Sequence, residues 1–139
     1  MSNQEHPRLR ADYQATGFDR AFPGMEVLEA KGGVARVKLP VVEAVQNMVG
    51  TLHGGAVASL VDNAGTMAII SGDREGRAGV TTDLNVSYLA PGLPGGAVVA
   101  EARVLKCGKT LAFVTVDVRR EQDNALVAQG RMTKYMAAG

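Results

Sequence analysis

One carboxylate in this sequence stands where it could act on a substrate. Between Asn47 and Ser71 the chain reads NMVGTLHGGAVASLVDNAGTMAIIS, a Gly-rich opening followed by a run that is apolar except at spaced positions. Ser59, Asp62, Asn63 and Thr66 recur at a spacing of three and four, so on a helix they form one narrow polar stripe. A carboxylate on a buried stripe has its charged form disfavoured by desolvation, which raises its pKa toward the range useful for a general base. His53-Gly54-Gly55 stands at the start of the same helix. There, unpaired backbone N–H groups and the positive end of the helix dipole can stabilise developing negative charge. Periodicity alone leaves a second reading of Asp62 open: a buried aspartate satisfied by the hydroxyls of Ser59 and Thr66.

Other chemistries lack their residues. Neither His53 nor Cys107 has a second His or Cys at ligand spacing, and His6 lies in a polar terminus, so no metal site is expected. Gly108-Lys109-Thr110 resembles the end of a phosphate loop, but Arg103 stands where that motif requires glycine. Fifteen basic residues against fourteen acidic ones give a net charge of +1 with few aromatics, which offers no sign of a nucleic-acid groove. A single cysteine cannot form an internal disulfide, which points to a reducing compartment. The N-terminus lacks a signal-peptide pattern, and no apolar run reaches the roughly 20 residues needed to cross a bilayer. The expectation is one soluble, cytoplasmic domain over residues 1–139, since a chain of this length buries about two-thirds of its unfolded surface.

The elements that must position these residues follow from period and punctuation. Pro7 can open a short N-terminal helix running to Gly17. Strands are predicted over 25–30 and 34–39, joined by a hairpin at Lys31-Gly32-Gly33. The central helix is predicted over 53–70, with Val57, Leu60, Val61, Ala64, Met67 and Ala68 on its apolar face. Residues 80–89 alternate cleanly, with Val80, Thr82, Leu84, Val86 and Tyr88 on one face and Thr81, Asp83, Asn85 and Ser87 on the other. Three further strands over 98–105, 111–120 and 126–135 are linked by turns short enough for hairpins. Six antiparallel strands and one long apolar helix are accommodated when the sheet curls around the helix, an α+β arrangement.

That arrangement is the hotdog fold, and the sequence resemblance reaches further than topology. N-x-x-G-x-x-H-G-G followed by L-V-D-N, then T-x-D-L-N-V-x-Y, G-K-T-L-A-F and V-A-Q-G-R-x-T-K, resembles the small acyl-coenzyme A thioesterases of the phenylacetate-degradation (PaaI-like) type and their animal relatives. The match runs from about Phe18 to Tyr135. The resemblance implies that Asn47 helps to place the thioester or the attacking water, and that Gly54, beside His53, offers its amide to the thioester carbonyl. It further implies that Asp62 is the general base or nucleophile and that Thr81 orients it. His53 is read as structural or carbonyl-orienting, and the plainer reading of Asn47 is a turn former. Lys106 and Lys109 are candidate contacts for a coenzyme A phosphate, against the plainer reading that exposed lysines contact only water. Cys107 is read as an inert strand-end thiol.

The function implied is hydrolysis of an acyl-coenzyme A thioester, with no metal or redox cofactor. Two alternatives are a non-catalytic acyl-coenzyme A binding or sensing module on the same fold, and a hotdog hydratase or dehydratase. The resembled family pairs the strand over 80–89 across a twofold axis, so a homodimer at least is expected, with a tetramer favoured. Helix geometry bears on how such a dimer works. Gly54 and Asp62 are eight residues apart, roughly 12 Å along the axis at 1.5 Å per residue. An oxyanion donor and a base acting on one carbonyl must each come within about 3 Å of the groups they serve. The expected site therefore combines Asn47, His53 and Gly54 of one subunit with Asp62 and Thr81 of its partner.

Overall fold

The computed structural model describes Leu9 and residues 14–136. Most of the helix predicted from Pro7 to Gly17 lies outside these residues. Its described end is not helical: residues 14–16 are irregular, and a short 3-10 helix, Gly17–Ala21, begins where the helix was expected to stop. The next two strands, β1 (Glu26–Lys31) and β2 (Val34–Pro40), form the expected hairpin. Gly32 and Gly33 carry φ of +60° and +90° at its tip, the doubly left-handed turn whose twist matches two antiparallel strands.

A second 3-10 turn, Glu43–Val45, leads through an ordered loop into α1 (Gly54–Gly72). Four strands follow: β3 (Val80–Tyr88), β4 (Ala97–Cys107), β5 (Leu111–Arg120) and β6 (Leu126–Tyr135). They join the hairpin in one antiparallel sheet of order β1-β2-β4-β5-β6-β3. The sheet lays its inner face on α1, as the expected hotdog arrangement requires. Ala35, Val37 and Leu39 of β2, Ala100 and Ala102 of β4, and Val114, Val116 and Val118 of β5 are buried against the helix residues Val57, Leu60, Val61, Ala64, Met67 and Ala68. Each larger apolar side chain buried this way contributes about 1.5–3 kcal/mol.

Two glycines set how closely helix and sheet approach. A Cβ on Gly65 would fall 2.2 Å from Met132 Sδ, and one on Gly130 would fall 2.7 Å from Val61 Cγ1. Both distances are well inside contact range, so the backbone of α1 rides directly on β6.

The strand β3 departs from the expected alternation. Thr81 pairs with Lys134 but Asp83 pairs with Thr133, so Thr82 is an extra residue in a β-bulge. The bulge reverses the parity of everything before it. Thr81 therefore turns toward the helix together with Leu84, Val86 and Tyr88, while Val80, 62% exposed, faces outward with Asp83, Asn85 and Ser87. Beyond β6, β3 has no further neighbour in the sheet, and its outer edge is unpaired among the described residues.

Candidate active site

The helix start is built by the loop before it. Gln46 and Leu52 form an isolated bridge that closes the loop, and Gly50 turns it at φ +87°. Asn47 organises the interior: its Oδ1 accepts from the amides of Val49 and Thr51 at 3.1 Å each, and its Nδ2 donates to Thr51 Oγ1 at 2.8 Å. One Nδ2 hydrogen remains, because a primary amide has two to give. Met48 and Val49 stand exposed at the loop tip. The turn-forming role of Asn47 is therefore realised in the structure.

His53 is the N-cap of α1. Its amide donates to Val45 O at 2.8 Å, and its Nδ1 accepts from the amide of Gly55 at 2.8 Å. An imidazole that accepts through Nδ1 carries its proton on Nε2, so His53 presents an N–H donor outward from the helix start. Val57 N–H closes the first helical turn on His53 O at 3.0 Å. The amide of Gly54, in the first turn of α1, has no hydrogen-bond partner among the described residues and is left as an open donor.

The polar stripe resolves into four separate partnerships. Ser59 Oγ donates back to Gly55 O at 2.9 Å, and Asn63 Nδ2 donates to the buried Asp19 Oδ1 at 3.2 Å. Thr66 Oγ1 accepts from the buried Lys134 Nζ at 2.7 Å. Asp62 Oδ1 accepts from Thr81 Oγ1 at 2.7 Å. Neither Ser59 nor Thr66 bonds Asp62; the hydroxyl that does is that of Thr81. Asp62 is half-buried in the single chain, so one chain alone does not supply the full burial expected of it.

Beside the helix start lies an open cleft of about 440 Å³, lined by Phe18, Phe22, Val45, His53, Gly55 and Ser59 among others. Phe18 and Phe22 meet edge to face at 5.2 Å and make one wall apolar. Lys106 and Lys109 lie elsewhere. Lys106 is exposed beside a bulge in β4, and Lys109 is exposed in the β4–β5 turn. Lys109 lines a depression at the C-terminal end of α1 with Gly72, Asp73, Arg77 and Cys107. A helix of 19 residues is about 28 Å long, so these lysines are remote from Gly54 of the same chain. Burial and the nearby Asp73 push the Cys107 thiol up, which makes it a poor nucleophile.

Two neighbours of the site escaped the sequence reading. Tyr88 donates its hydroxyl to Gly54 O at 2.7 Å, although its place in T-x-D-L-N-V-x-Y had marked it. Lys134 lies directly across from Thr81, and the strand parity shared with Ala128, Gly130 and Met132 would have turned it inward. Among the described residues no group of three His, Cys, Asp or Glu could hold a metal ion, and no helix is long and apolar enough to cross a membrane.

Comparison with known proteins gives the arrangement its relatives. Residues 49–127 match the Thioesterase superfamily. Acyl-coenzyme A thioesterase 13 of Homo sapiens is 41% identical over 128 residues, covering 92% of this chain and 91% of that one. Among solved structures, zebra fish thioesterase superfamily member 2 superposes with a TM-score of 0.84 at 42% identity, covering 94% of this chain and 92% of that one. A hypothetical thioesterase protein of Streptococcus pneumoniae solved with coenzyme A superposes with a TM-score of 0.79 at 26% identity, covering 84% of this chain and 88% of that one. With its helix, wrapped sheet and capped glycine pair, the chain belongs to the thioesterase superfamily.

Proposed function

We propose that this protein is an acyl-coenzyme A thioester hydrolase whose active site is assembled from two subunits. Water attacks the acyl carbonyl and passes a proton to Asp62. The carbonyl oxygen, now negative, is stabilised by the Gly54 amide of the other subunit. The tetrahedral intermediate collapses, the carbon–sulfur bond breaks, and the thiolate takes the proton back from Asp62 to leave as coenzyme A, with the free acid as co-product. Thr81 holds the Asp62 carboxylate in place. Asn47, through its remaining amide hydrogen, and His53, through Nε2–H, orient the thioester. Lys106 and Lys109 take a coenzyme A phosphate at the far end, and the apolar cleft beside His53 suits the acyl group. No further cofactor enters this scheme, and a cytoplasmic setting supplies its substrate.

The observation that carries this reading is the Thr81–Asp62 hydrogen bond at 2.7 Å, set eight residues along α1 from the open amide of Gly54. Coenzyme A in the Streptococcus pneumoniae structure and the activity named for the human relative support the substrate class. The test is thiol release across short, medium, long and aryl acyl-coenzyme A esters. Release from at least one class is expected. Tight binding of every ester with no release would make the protein a binding module instead.

A further inference from the structure

We propose that Tyr88 is a positioning residue for the oxyanion donor, acting through the peptide unit between Gly54 and Gly55. That unit carries two polar groups, the carbonyl of Gly54 and the amide of Gly55. Tyr88 donates its hydroxyl to the first at 2.7 Å, and His53 Nδ1 accepts from the second at 2.8 Å. Side chains from β3 and from the N-cap thus clamp one peptide plane at both ends. Its neighbour, the unit between His53 and Gly54, is tied only at its carbonyl, by Val57 N–H at 3.0 Å. What that neighbour has left is the Gly54 N–H.

The clamp answers a specific weakness. Two successive glycines in a first helical turn have the widest backbone freedom of any pair, and helix ends fray. A donor that swings must be reorganised during the reaction, and a preorganised one need not be. With the plane after Gly54 held and the His53 carbonyl tied by Val57, the backbone is anchored on both sides of Gly54, which limits how far its N–H can swing. The phenol ring lies directly beside Gly54: a Cβ there would meet Tyr88 ring atoms at 3.6 Å, an ordinary contact. Tyr88 and Thr81 share β3 and the helix-facing side of it, so one edge strand supports a half of each of two shared sites: Thr81 sets Asp62 for one and Tyr88 sets Gly54 for the other.

This inference rests on the reading of Gly54 as the oxyanion donor, and Tyr88→Phe tests it because the ring is kept and only the hydroxyl is lost. The expected result is a fall in kcat of about tenfold, the scale on which supporting partners act, with KM within about twofold of wild type and thermal stability little changed. In the free enzyme labelled with 15N-glycine, the Gly54 amide resonance should shift or broaden, while those of Gly32 and Gly95 stay put. An unchanged kcat would overturn the proposal. So would a raised KM at constant kcat, which would make Tyr88 a substrate contact, or an unmoved Gly54 resonance. If the wild-type enzyme released no thiol from any ester, the hydrolase reading would fail by itself, and the Gly54 resonance would still decide whether the clamp exists.

Discussion

Thr81 on β3 and Asp62 on α1 are joined by a 2.7 Å hydrogen bond that exists because β3 contains a bulge at Thr82. In an unbroken strand Thr81 would share the outward face with Asp83 and Asn85. The inserted residue lets the threonine turn inward without disturbing Leu84, Val86 and Tyr88 beyond it. Bulges beside active sites commonly re-aim a side chain in this way.

The proposed roles of the two partners predict unequal losses. Asp62→Asn should lower kcat by about 10²–10⁴-fold, the range for a lost general base, with little change in thermal stability. Thr81→Ala should lower it by about tenfold, because an orienting hydroxyl is one of several supports. Steady-state kinetics on the folded variants checks both. Near-wild-type turnover in Asp62→Asn would remove its assignment, and equal losses in the two variants would reverse their ranking.

How much of this was legible in the sequence depended on how local each feature is. The helix predicted over 53–70 is α1, which starts one residue later and ends two residues later, and the four later strands agree within two residues at each end, because period and turn residues are properties of the segment itself. The bulge at Thr82 was hidden. Residues 80–89 alternate without a flaw, and only the register against β6 reveals the extra residue. The partners of the helix's polar groups were hidden for the same reason: Lys134 reaches Thr66 on the stripe and Tyr88 reaches Gly54 at the helix start across long stretches of chain. The sequence did place Asn47, His53 and Gly54 at one helix end and Asp62 along its side, and helix rise alone separated them.

Beyond the helix C-terminus, Asp73 gives the protein an acid-sensitive anchor. It is 6% exposed, and the Arg77 guanidinium bonded to it at 2.8 Å holds its carboxyl below the usual carboxylate range, helped by the amides of Arg77 and Glu75 against the opposing effect of burial. Arg77 in turn reaches Met136 O at 3.1 Å, so the pair fastens the loop after α1 to the end of the chain's last strand. A carboxyl with a lowered folded-state pKa contributes its stability above the ordinary value, about 4, and loses it as pH falls through the lowered one. Asp73→Asn should therefore cost about 1–3 kcal/mol at pH 7 and progressively less on acidification. Urea unfolding at several pH values reads this directly, and a deficit independent of pH would mean that the charge is not the cause.

The edge of β3 calls for a partner. It is nine residues long, unpaired on its outer side among the described residues, and exposes Val80 and Tyr88, with Leu89 just beyond it, beside one charged residue, Asp83, so little guards it against strand addition. Light scattering at micromolar concentration should give at least twice the mass of the chain, with four times favoured. A monomer would leave the Gly54 amide and Asp62 of each chain roughly 12 Å apart with nothing to complete either.

The composite site is tested most directly by mixing subunits. Asn47→Ala disables the helix-start half and Asp62→Asn the carboxylate half, so each homo-oligomer should be inactive. Unfolded together in equal amounts and refolded, about half the dimers should be mixed, and in each of these one site carries both changes while the other carries neither. A shared site should restore about a quarter of wild-type activity. If Asn47 and Asp62 serve the same site from one chain, the mixture will be as inactive as its components, and the two-subunit site is wrong.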